Sequence, residues 1–78
     1  MQEREALLLM ESNELTRLTV RRQPNSSGWI IIIHTSANPA AEQALVTKRG
    51  KTNRVFKTSD AALRWCKKVG FNEVNVIL

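Results

Sequence analysis

Seventy-eight residues make one domain, and a chain this short buries only roughly 60–65% of the surface its unfolded form exposes. Twelve Lys and Arg against seven Asp and Glu give a net charge of +5, a balance that favours polyanionic partners, nucleic acid first among them. One cysteine and one histidine rule out an internal disulfide and a four-ligand structural zinc site, and the lone thiol suits a reducing, cytoplasmic setting.

The charge is unevenly placed. Met1–Glu14 carries four acids and one base, whereas the rest of the chain carries eleven bases and three acids. The single domain thus divides into an acidic N-terminal helix, residues 1–13, and a basic sheet-and-helix body, residues 15–78. The helix is expected over Gln2 to about Glu11, from its strong helix formers and the cluster Ala6–Met10. "ALLL" is too short and too acidic in its flanks to be a secretory signal.

"LTRLTVRR" reads as a strand with Leu18 and Val20 on one face and Arg17, Thr19 and Arg21 on the other. "QPNSSG" is dense in turn formers and closes it. "WIIIIHTS" follows, rich in β-branched residues and far shorter than the about 20 apolar residues of a membrane span. "ANPAAEQ" is a loop or a single helical turn after Pro39, "ALVTKR" a third strand, "GKTN" a hairpin turn and "RVFK" a short fourth strand. Thr58 or Ser59 can cap a second helix, Asp60 sits in its first turn, and Ala62, Leu63, Cys66 and Val69 share a face. Lys67 and Lys68 suit its last turn, Gly70 its left-handed stop, and "NEVNVIL" reads as a final strand.

The order is therefore α-β-β-β-β-α-β: an α+β fold of two layers, an antiparallel meander covered by a helix. Both faces of "WIIII" call for burial. The second helix takes one face, and the N-terminal helix or a partner copy takes the other. A core this small supplies on the order of 3–5 kcal/mol, so a homodimer is expected.

Nothing in the chain assembles a recognisable reaction. His34 ends an apolar strand, Cys66 lies on the apolar side of a helix, and no phosphate-binding glycine loop is present. No enzyme activity, metal, cofactor or small-molecule substrate is expected. Trp29 and Trp65 read as core residues rather than as base-stacking surfaces. The basic set is the better signal. Lys48, Arg49, Lys51, Arg54 and Lys57 surround the hairpin, with Arg17 and Arg21 on the first strand as secondary candidates for phosphate contact. Charged strand residues also keep sheet edges from aggregating, which is the competing account of the same lysines and arginines.

Two resemblances run through these residues. "GWIIII" followed by "ALVTKRGKTNRVFKTSDAALRW" resembles the three-stranded sheet plus helix of integrase arm-type N-terminal domains, over about half of the chain. The matching positions are Trp29 with Ile31, then Arg54, Phe56, Thr58, Asp60 or Ala61, and Trp65. That likeness implies DNA binding through the sheet; the unbroken isoleucine run and the strand after the helix depart from it. "TKRGKTNRVFKTSDAALRWCKKVGFNEVNV" is similar to small accessory proteins of plasmid and integrative-element partition loci, which implies an accessory role in a mobile element. The expectation is a small non-enzymatic protein that binds nucleic acid, DNA in preference to RNA, through a basic β-hairpin. The alternative is a protein-interaction module that uses the C-terminal strand and the N-terminal helix.

Overall fold

The computed structural model of the chain describes residues 1–49 and 52–78. Its elements are α1 (Glu3–Glu11), β1 (Leu15–Arg22), β2 (Trp29–Thr35), β3 (Gln43–Ala44), α2 (Ser59–Lys68) and β4 (Asn75–Ile77). The strands form one sheet in the order β3-β2-β1-β4. The α+β class expected from the sequence holds, but the sheet is mixed rather than an antiparallel meander. β1 pairs antiparallel with β2, β2 pairs antiparallel with β3, and β4 runs parallel to β1.

The final strand narrows to Asn75–Ile77, and the two strands of the hairpin shrink so far that the order is α-β-β-β-α-β rather than α-β-β-β-β-α-β. Of "ALVTKR" only the start is strand, and "RVFK" contributes Phe56 through an isolated bridge to Trp29. The reason is competition for one edge of β2. The Leu45 N–H bonds to the Ile31 carbonyl at 2.8 Å, and one hairpin later Phe56 exchanges two 2.8 Å bonds with Trp29. The hairpin therefore folds out from the sheet edge and returns to it. It is closed by a Val46–Asn53 bridge and by the Arg54 N–H on the Leu45 carbonyl at 2.8 Å.

The alternation in β1 is as the sequence indicates. Leu18 and Val20 pair with Ile33 and Ile31, and all four are completely buried in the core. A β-bulge between Leu15 and Arg17 turns Leu15 back to this same face, and the Thr16 hydroxyl donates to the His34 carbonyl at 3.1 Å across it. Both helices pack on this side. Ala6 of α1 and Ala62, Trp65, Cys66 and Val69 of α2 belong to the same cluster. The expectation that α1 would cover the other face is thus corrected. Ala6, Leu9 and Met10 form a narrow inner stripe on α1 that fits beside α2 rather than across the sheet.

Among the described residues, the opposite face carries no helix, yet Ile30 and Ile32 are each only 2% exposed there. Arg21 on β1 pairs in register with Ile30, and Ala44 on β3 with Ile32. Arg21 Nη1 lies 3.3 Å from Oε1 of Glu42, so their ion pair crosses over β2 and roofs the isoleucines. His34 lies on this face too, 6% exposed, and its Nδ1 has no hydrogen-bond partner among the described residues.

Both helices end in the same way. Gly70, at φ 108°, sends its N–H to the Lys67 carbonyl at 3.0 Å while the Phe71 N–H reaches Cys66 at 3.0 Å. Asn13, at φ 60°, does likewise: its N–H bonds to Met10 at 3.2 Å and the Glu14 N–H to Leu9 at 2.8 Å. These are paired Schellman closures, with asparagine taking the glycine position in α1. At the start of α2 the Thr58 hydroxyl accepts the Ala61 N–H at 3.1 Å.

Candidate nucleic-acid interface

The seven basic candidates do not form one patch. Lys48 and Arg49 are exposed in the turn that follows Thr47; they are not strand residues, so strand alternation does not send them to opposite faces. Lys51 lies outside the described residues. Arg54 stands on the returning limb, and Lys57 is exposed just before the α2 cap. Arg17 and Arg21 sit on the face away from the helices. Arg17 is exposed there, whereas Arg21 is engaged with Glu42.

Arg54 is also engaged. Its Nη1 lies 3.3 Å from Oε1 of Glu3, which accepts the Trp65 indole N–H at 2.6 Å as well. The acidic helix and the basic body, which the sequence presents as separate surfaces, are joined at this carboxylate. The indole hydrogen bond, aided by Lys68 and Arg54, holds the Glu3 carboxyl below its ordinary value despite the opposing cost of desolvation. Glu3 thereby fastens the start of α1 to both α2 and the hairpin.

Arg22 and two aromatic rings, none of them among the seven candidates, complete the arrangement. The Arg22 guanidinium lies 5.0 Å from the centroid of Trp29, and that of Arg54 lies 5.0 Å from the centroid of Phe56. Trp29 and Phe56 face each other across their backbone bridge, so their side chains lie on the same side of the sheet. The result is a row of arginine, tryptophan, phenylalanine and arginine, with both rings partly buried against the edge of the core. Gly28 makes this row possible. At φ 108° a Cβ would strike the Val55 side chain and come within 3.2 Å of the Phe56 carbonyl, holding the returning limb away from β2. The "QPNSSG" turn already implies that Arg22 and Trp29 are opposed. The Trp29–Phe56 pairing, between distant parts of the chain, has no comparable local signal.

A guanidinium lying on a ring keeps N–H donors at its rim, and these can still reach a phosphate. Arg22 and Arg54 are thus each backed by an aromatic ring, and Lys48, Arg49 and Lys57 add exposed cations at the hairpin turn and just before α2. Cys66, by contrast, is wholly buried, and desolvation pushes its thiol up to about 11, so it is a core residue. Among the described residues no group of three or more His, Cys, Asp and Glu side chains is placed to hold a metal ion, and no helix is long and apolar enough to cross a membrane. No family model, curated protein or solved structure matches the chain.

Proposed function

We propose that this protein binds nucleic acid, DNA in preference to RNA, along the strip from the hairpin turn to the end of β1. The reading rests on one observation: two arginines lie on two bridged aromatic rings, and the segment that carries one of them also exposes Lys48, Arg49 and Lys57. Phosphates would meet the lysines and Arg49, and the ring-backed guanidinium of Arg22 would supply a flat, polar contact of the kind that bases and phosphates both accept. Arg54 has a structural duty to Glu3 and is a weaker contact than its place in the hairpin suggests. The resemblance to mobile-element proteins is consistent with an accessory DNA-binding role of this kind.

With about four phosphate contacts, log K should fall against log salt with a slope near −4. The test is fluorescence anisotropy with mixed-sequence duplex DNA, single-stranded DNA and RNA. Affinity for duplex should drop on the order of a hundredfold between roughly 50 and 200 mM salt. A Lys48→Glu/Lys57→Glu variant should lose most of it, while Arg17→Glu, on the other face, should retain most of it. Absence of binding at the lower salt would sink the proposal.

A protein-interaction role for β4 is the alternative. It draws on the position of β4 at the sheet edge, where Val76 and Ile77 are 42% and 55% exposed.

A further inference from the structure

The outer surface of α1 has no role in the core or in the basic strip, and it is not an ordinary solvated face. Leu7 and Leu8 are 39% and 59% exposed on it, between Arg4 and Glu11. These four residues follow the i, i+3, i+4, i+7 spacing of a helix stripe, and they line one wall of a groove of about 830 Å³. Val46, Lys48 and Lys68 contribute to the facing wall.

The stripe is palindromic in position and reversed in charge. Arg4 and Glu11 are equally far from the midpoint between Leu7 and Leu8, about 5 Å along the axis on either side. A second α1 laid antiparallel about that midpoint brings leucines onto leucines. It also places each Arg4 against Glu11 of the partner subunit. A parallel pairing would set Arg4 against Arg4, which opposes it. The groove wall favours the same occupant, because Lys48 and Lys68 line it and an incoming α1 carries Glu5 and Glu11 against the single base Arg4, its Glu3 being held within its own chain.

We infer that α1 is a self-association helix: two copies of this chain join through antiparallel α1 helices, with the two-fold axis between Leu7 and Leu8. A nine-residue helix is about 13 Å long, so the contact is small and reversible rather than obligate. It shares Lys48 with the nucleic-acid strip, so the substitutions that test it are confined to α1.

The experiment is sedimentation velocity from about 10 µM to about 1 mM protein, a span that brackets weak association. The wild type should shift from monomer to dimer across this range, and less so as salt rises. Arg4→Glu and Glu11→Arg, each alone, place like charges together twice per dimer and should raise the midpoint on the order of tenfold. The double variant Arg4→Glu/Glu11→Arg restores opposite charges across the axis and should recover association. Leu8→Glu should remove it. All three substituted positions are exposed, so circular dichroism should show an unchanged fold. A wild type that stays monomeric at the highest concentration overturns the inference. So does a dimer that ignores these substitutions, or a double variant that fails to recover.

Discussion

Each face of the sheet carries an arginine–glutamate pair with the same 3.3 Å separation, and the two differ in everything around them. Glu3, at the start of α1 on the helix-covered side, receives Arg54 and the Trp65 indole together, and its side chain is 27% exposed. Glu42, on the bare face, receives Arg21 alone and is 54% exposed. The first pair is one corner of a network that positions a helix. The second is a solvated strap across β2. Separation alone does not rank them; the added indole hydrogen bond does.

The same contrast holds for the isoleucines beneath, and it gives the largest expected effect. Ile31 and Ile32 are both buried, but Ile31 packs under two helices and Ile32 under the strap. Ile31→Ala should cost about 2–5 kcal/mol, close to the whole stability of a domain this size. Ile32→Ala should cost roughly half as much, because flexible side chains can settle into the gap. Urea unfolding followed by circular dichroism measures both, and equal losses would erase the distinction between the faces.

Glu3→Gln comes next, at about 1–3 kcal/mol, since a charged partner of a buried indole is weakened. The pH dependence has a definite sign. The Glu3 carboxyl titrates lower in the folded chain than its ordinary 4.5, so its stabilisation is full above that value and disappears as pH falls through the lower, folded one. Acid unfolding monitored by tryptophan fluorescence should therefore be steeper in the wild type than in Glu3→Gln below about pH 4.5. Parallel curves would show that the carboxylate does not hold α1 in place. The smallest effect belongs to Glu42→Gln, which keeps the stem of the strap. It should cost less than about 1 kcal/mol, and the cost should vanish in high salt.

Much of the local structure is readable from neighbours in the chain. The alternation of Leu18 and Val20 against Thr19 and Arg21, the Thr58 cap and the Gly70 stop depend on periods and dihedral preferences that a short segment expresses by itself. The bulge at Thr16, the parallel arrival of β4 and the placement of both helices on one face are not of this kind. Each is decided by which distant segment wins a contested edge or groove. The hairpin cations were visible as a cluster, but that Arg54 and Arg21 are already occupied was not. Their carboxylates lie on other elements, and only the fold brings them within reach. Trp29 carries the same lesson in reverse: a tryptophan beside isoleucines reads as interior, yet it opens β2, where it is only partly buried and the Arg22 guanidinium lies over its ring.

The order β3-β2-β1-β4 has a consequence for how the chain reaches this state. β1 and β2 are neighbours in sequence and can meet through one short loop closure, whereas β4 must find β1 after almost the entire chain has been threaded past it. Met1 likewise reaches across to Ala44 and Val46, at 2.8 and 2.7 Å. The central hairpin is therefore the cheap, early pairing, and both ends of the described chain are late arrivals whose ordering is rewarded only once the middle exists. A nascent form lacking those ends would hold its isoleucine strand together while leaving the outer flank of β1 open to the wrong partner.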